Sequence, residues 1–207
     1  FDWGDYCIKV ASGSLNLTLA GDNTIQTEPH ISGSSMPIWV TENATLTIRG
    51  NGTLNATNHS DGKACIGAAW NYRCGTINIA GGIINATGGG NGGCVIGYSG
   101  DRGGGTVNVS AGIVNCTLLN SNSNTYSPFG LGGSSVSITG GIVNATTSGR
   151  TTKENCILNG SVHGSFTLTE DWTVGEGQTV TVPNGATLTV ACGATLTNNG
   201  KIYVDGT

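Results

Sequence analysis

The chain has 207 residues, of which 36 are glycine, 37% are apolar and only 10% are charged. That length holds one sizeable domain or two small ones; the apolar content excludes a disordered chain, and four prolines with no three-residue glycine period exclude collagen. A net charge of −4 with no basic run argues against nucleic acid as a partner, and no apolar run is long enough for a membrane-spanning helix.

The predicted strands fall into a repeat. "CIKV" (7–10) precedes "LNLTLAGDNTIQT" (15–27), and "PIWV" (37–40) precedes "ATLTIRGNGTLNAT" (44–57). "ACIG" (64–67) precedes "GTINIAGGIINAT" (75–87), and "CVIG" (94–97) precedes "GTVNVSAGIVNCT" (105–117). "PFGL" (128–131) precedes "SSVSITGGIVNAT" (134–146), and "CILN" (156–159) reads as one more copy of the leading strand. Each repeat predicts three short strands joined by glycine bends. Side chains alternate along a strand, so Ile77, Ile79, Ile84 and Ala86 face a core, while Thr76, Asn78, Ile83, Asn85 and Thr87 face outward. A unit this short cannot bury its own apolar face, but stacked copies share one core.

The expected fold is therefore all-β: a single-domain parallel, right-handed β-helix (β-solenoid) of about seven coils, with about 30 residues per coil. Residues 1–164 form the ~30-residue coils. In 165–207, "GATLTV" and "GATLTN" recur eight residues apart, which predicts tighter coils of the same solenoid. The chain starts at Phe1 with no initiator Met and no signal peptide, as expected of a processed product or a piece of a longer chain.

The "GG-x-V-x-AT" and "GATLTV" strings, from about Leu15 to Val204, resemble repeats of bacterial surface proteins thought to form β-helices of pectate-lyase-like architecture. The resemblance implies that fold and an extracellular setting. Some of those proteins are described as carbohydrate-binding. They carry Thr where Asn85, Asn115 and Asn144 stand here.

Asn recurs in the third strand of successive repeats. The bland reading is a ladder of stacked amides. The sharper one is N-glycosylation, because each of these Asn opens an Asn-x-Ser/Thr acceptor. Ten acceptors are present, at Asn16, Asn43, Asn51, Asn55, Asn58, Asn85, Asn108, Asn115, Asn144 and Asn159. That is about twice the number expected by chance, and several lie outside the column, which favours sugar. Ile83, Ile113 and Ile142 form an outward apolar column that predicts a covering loop or sugar, or contact with another chain. Outward pairs that mix Thr, Asn and Ser argue against a regular ice-binding face.

Reactive chemistry is sparse. Asp22, Glu28, Glu42, Asp61, Asp101 and Glu154 are scattered, and His30, His59 and His163 are isolated. Glu170–Asp171 is the one adjacent acidic pair, on a strand where neighbours point apart. No metal site and no cofactor are expected. Trp70, Tyr72, Tyr98 and Tyr126 follow the leading strands, either packing their own loops or stacking on glycans. Seven cysteines among many acceptors suggest an oxidising compartment, with Cys65 bridged to Cys74 or to Cys94, and Cys116 packing as a small apolar residue.

The expected function is a non-enzymatic, N-glycosylated, extracellular structural protein at a cell surface. It forms a coat or a head-to-tail fibril by self-association, or docks on flanking domains of a longer chain. The alternatives are a glycan-binding adhesin and, behind it, a polysaccharide-degrading enzyme.

Overall fold

The computed structural model describes residues 6–28, 35–60, 63–68, 72–89, 93–98, 104–119 and 129–205. The described elements are all strands, largely in parallel pairs. In the first four repeats they are β1 (Tyr6–Val10), β2 (Gly13–Leu19), β3 (Asp22–Gln26), β4 (Met36–Val40), β5 (Ala44–Gly50), β6 (Thr53–Thr57), β7 (Ile66–Gly67), β8 (Thr76–Gly88), β9 (Ile96–Gly97) and β10 (Thr106–Leu118). Then come β11 (Leu131–Ile138), β12 (Ile142–Asn144), β13 (Thr147–Lys153) and β14 (Cys156–Leu158). In β8 and β10 the second and third predicted strands run on as one strand, with register shifts where β10 passes its glycine corner.

Equivalent residues stand directly on one another. Leu46 pairs with Ile77, Ile77 with Val107, and Val107 with Val136. Leu54, Ile84, Val114 and Val143 stack likewise in the third position of the repeat, and Ile38, Ile66, Ile96 and Leu131 in the first. All of these are buried. The predicted core residues Ile77, Ile79, Ile84 and Ala86 are among them, each stacked side chain contributing about 1.5–3 kcal/mol of hydrophobic stabilisation when large.

Two leading strands sit one residue away from the sequence alignment. Ile38 pairs with Ile66 and Leu131 with Ile96, so "PIWV" and "PFGL" are each displaced by one position relative to "ACIG" and "CVIG". "CILN" is not a leading strand: Ile157 pairs with Ile142 and Leu158 with Val143, in the third position. The pairing offset has halved here, because β11 joins the first and second positions in one strand.

After β14 the chain reverses. Asn159 (φ 48°) and Gly160 (φ 78°) make a two-residue turn with positive φ at both positions, the hairpin chemistry of an Asn-Gly pair. β15 (Ser161–His163) consequently runs antiparallel to β14. Tighter repeats follow: β16 (Ser165–Leu168), β17 (Trp172–Val174), β18 (Thr179–Val182), β19 (Thr187–Val190), β20 (Leu196–Asn198) and β21 (Lys201–Val204). Here β16 pairs with β19, β17 with β20 and β18 with β21, all in parallel. The offset is 22 to 24 residues, so the eight-residue "GATLT" echo marks neighbouring strands β19 and β20, which do not pair with each other.

The reversal moves the core to the other face of the shared sheet. Ile157 and its partner Val162 pack with Phe166, Leu168, Val174 and Val180, whereas Cys156 and Leu158 beside Ile157 pack into the larger core. Alternation makes these opposite faces. The tighter repeats thus continue the sheet through β18 and β21, form separate two-stranded sheets with β16–β19 and β17–β20, and enclose a second core. This also accounts for two of the three residues in the outward apolar column: buried Ile142 and half-buried Ile113 pack against that second core.

Tight stacking leaves no room at some rungs. Gly67, Gly97 and Gly132 stand on one another, and a Cβ on Gly97 (φ 119°) would overlap the Gly132 carbonyl oxygen. Gly97→Ala is expected to destabilise the protein by several kcal/mol, combining steric overlap with an unfavourable φ. Urea denaturation of Gly97→Ala and of Gly185→Ala, where a Cβ meets nothing within 4 Å despite φ 83°, separates packing from backbone strain.

Candidate functional site

Strand alternation aims the third-position Asn residues outward, and the 29–30-residue register superposes them. Asn85 Nδ2 donates to Asn55 Oδ1, Asn115 Nδ2 to Asn85 Oδ1, and Asn144 Nδ2 to Asn115 Oδ1, each at 2.8 Å. A second, shorter ladder runs through the second position: Asn108 Nδ2 donates to Asn78 Oδ1 at 2.8 Å, and Asn78 Nδ2 to Thr47 Oγ1 at 3.3 Å. The bland reading of the column is therefore a real part of the structure. Each amide keeps a second N–H, which is the group a sugar would replace.

The ten acceptor residues separate into classes. Asn16, Asn43 and Asn51 are exposed, in β2, a turn and a bend. Asn55, Asn85, Asn108, Asn115 and Asn144 are half-buried ladder residues. Asn159 is exposed but shapes the hairpin turn, with Nδ2 donating to the Ala145 carbonyl at 3.0 Å. Asn58 corrects the expectation. It is 0% exposed, and its Nδ2 donates to the carbonyls of Ala64 at 2.9 Å and Lys63 at 3.3 Å. Its Oδ1 accepts from Thr27 Oγ1 and the Ser60 N–H. With both donors used and no solvent access, this fold has no place for a sugar on Asn58.

The two described aromatic candidates, Tyr72 and Tyr98, are held in different contacts. Trp70 and Tyr126 lie outside the described residues. Tyr72 packs edge-on against Trp39 (5.5 Å between centroids), which packs on Tyr6 (5.6 Å). Lys9 Nζ lies 4.3 Å from the Trp39 ring centroid, and the Trp39 Nε1 is buried without a hydrogen-bond partner. Tyr98 is half-buried against the larger core.

All seven cysteines are free, which corrects the disulfide expectation. The register explains one pairing: Ile66 stands on Ile96, so Cys65 faces Val95 and Cys94 faces Ala64. Cys65 leads into β7, whereas Cys74 bridges Thr41 at the entrance to β8, so the other pair is also apart. Burial pushes the Cys65, Cys74 and Cys94 thiols up to about 12 from an ordinary value of 9.0. Cys116 is likewise raised by burial.

The described acids do not converge. Glu42 pairs with Arg73 at 3.2 Å on the surface, and no group of three His, Cys, Asp or Glu side chains suited to a metal occurs among the described residues. Asp61, Asp101 and His30 lie outside them. His59 is exposed, and His163 is half-buried on β15, its pKa lowered by burial and then by Lys153.

Sequence reading did not anticipate a groove where the two cores meet. A cavity of about 440 Å³ separates the glycine corners of β10 and β12 from β16 and its continuation to Trp172. Ile113, Ile142 and Phe166 give it an apolar lining, and Glu170, Asp171 and Asn155 a polar one. A second cavity of about 210 Å³ lies beyond Trp172, beside Asn144 and Asn159. The signal was the acidic pair Glu170–Asp171 next to Trp172, but its site needs the chain reversal at Asn159–Gly160. No protein-family model, curated protein or solved structure matches the chain.

Two measurements check these assignments. Asn115→Ala removes a donor and an acceptor from mid-ladder and is expected to cost about 1–3 kcal/mol, more than Asn144→Ala at the ladder's end. Equal costs in chemical denaturation would argue against a connected ladder. At pH 8, maleimide is expected to label exposed Cys7 and Cys192 quickly, and Cys65, Cys74 and Cys94 at least about 10³-fold more slowly until the protein unfolds.

Proposed function

We propose that this chain is a non-enzymatic structural protein, built as a right-handed parallel β-helix of about seven coils and displayed, glycosylated, on an extracellular surface. The observation that carries the reading is the Asn55–Asn85–Asn115–Asn144 ladder, in which repeated polar side chains fasten one rung to the next. Pairing of equivalent residues at 29–31-residue offsets supports the coil, and right-handed crossovers are the rule for parallel strands. The dispersed acids support a role without catalysis.

The sugar reading now rests on the three exposed acceptors Asn16, Asn43 and Asn51, whose side chains make no hydrogen bond among the described residues, although Asn16 stands on Thr47, the last acceptor of the second ladder. Ladder rungs are about 4.8 Å apart, too close for a branched sugar on each. With the cysteines free, the extracellular setting depends on glycosylation alone. A coat or stalk fits better than a head-to-tail fibril. The first described repeats pair at about 30 residues and the last at 22 to 24, with strand direction reversed between them. One copy of this segment would therefore not continue the register of another.

A glycan-binding role through Trp70, Tyr72, Tyr98 and Tyr126 has less support, since Tyr72 is held in a ring stack and Tyr98 against the core. The test is enzymatic glycan release in heavy-oxygen water from protein secreted by eukaryotic cells, followed by peptide mass mapping. Labelled Asp at positions 16, 43 and 51, with Asn58 unchanged, is expected. Unlabelled Asn at all three positions overturns the glycoprotein reading.

A further inference from the structure

We propose that the groove along β16 is a strand-addition site for an extended peptide of another protein, one carrying alternate apolar residues and a cationic side chain. The inference does not depend on the structural or glycoprotein reading above.

The first ground is an unpaired strand edge. β16 pairs with β19 on one side and with no strand on the other among the described residues. In a parallel pair, successive residues direct their backbone groups to alternate sides. The Gly164 and Leu168 carbonyls accept from Thr187 and Ala191, toward β19. The N–H and C=O of Thr167 therefore face the groove. Asn155 already treats this edge as a hydrogen-bonding surface: its Oδ1 accepts from the Ser165 N–H at 2.9 Å. An added strand would continue that pattern at Thr167.

The second ground is the opposite wall. Ile113 and Ile142 line the groove at the glycine corners of β10 and β12. Half-buried Ile113, backed by buried Ile142, offers an apolar surface for the alternate side chains of a strand lying between that wall and β16. A volume of about 440 Å³ suits a short peptide segment.

The third ground is charge. Glu170 and Asp171 are exposed carboxylates at the end of β16, and no Lys or Arg lines the cavity. Asp171 Oδ1 is engaged by the Thr195 N–H at 2.7 Å, which fixes its position. Glu170 has no ion-pair partner among the described residues. A Lys or Arg side chain on the incoming strand supplies one. A saccharide would use Trp172 and the carboxylates but would leave the Thr167 edge and the Ile113–Ile142 wall without a matching surface.

The test uses the whole chain and the peptide Ac-Thr-Val-Lys-Val-Thr-NH2 at about 1 mM, followed by amide NMR shifts. Shift changes confined to Ser165–Glu170 and to the corners around Ile113 and Ile142 are expected. Thr167→Pro removes the free-edge N–H while leaving the β16–β19 bonds in place, since proline is tolerated where the N–H faces away from the partner strand. It is expected to weaken binding at least about tenfold. A peptide N-methylated on its backbone should bind as poorly to the unaltered protein, which keeps the test valid if Thr167→Pro misfolds. Glu170→Gln should weaken binding about threefold and reduce its salt dependence. No shifts at this concentration, shifts elsewhere, or equal binding of the N-methylated peptide overturns the proposal. So does maltotriose perturbing the groove while the peptide does not.

Discussion

Each rung of this protein must tolerate its own likeness about 4.8 Å away. Parallel pairing in register places every side chain on its equivalent one repeat earlier, so the allowed residues are those that stack on themselves. Branched aliphatics do so in the core: Ile48, Ile79, Val109 and Ile138 form one buried column. Amides do so outside, donating to one neighbour and accepting from the other. Glycine does so where backbones come too close for a Cβ, as at Gly67, Gly97 and Gly132. Like charges do not, which gives a physical reason for a chain only 10% charged.

The same constraint explains why the stack changes character after β14. A two-residue Asn-Gly turn reverses the strand, and the reversed strand still pairs with its neighbour in the same sheet. The next repeats then close on the opposite face. One sheet becomes a wall between two cores, and residues that were outward in the early repeats become inward for the second core. Ile83 stays half-exposed above that boundary, whereas Ile113 and Ile142 are drawn under the second core's residues.

Much of this was legible from period alone. The alternation in "TINI" and "IINAT" identified Ile77, Ile79, Ile84 and Ala86 as core, and the spacing of the Asn column identified residues that do stack. What failed was information that period does not carry. "PIWV" and "ACIG" look equivalent at the level of composition, yet the register places them one residue apart, whereas "ACIG" and "CVIG" pair as aligned and so put Cys65 and Cys94 at different positions. "NGS" at Asn159 reads as a glycan acceptor and as a hairpin turn with equal ease, and only tertiary pairing chooses the turn. Asn58 lies in an equally ordinary acceptor sequence, but loop packing brings the Lys63 and Ala64 carbonyls onto its amide. The Glu170–Asp171 pair looked unproductive because neighbouring strand residues point apart. It lies just beyond the end of β16, where strand alternation no longer applies.

The two kinds of surface are also separated along the chain. Exposed acceptors whose amides make no hydrogen bond among the described residues, Asn16, Asn43 and Asn51, belong to the first two repeats. The groove belongs to the junction with the last ones, and Asn144 and Asn159, which line the smaller cavity beyond Trp172, have amides engaged in the ladder and in the turn. Hydrogen bonding thus fixes the orientation of the amides beside that smaller cavity, whereas those of Asn16, Asn43 and Asn51 are not held in this way. Modification of the first repeats and an open β16 edge are compatible within one molecule, because the residues concerned lie in different repeats.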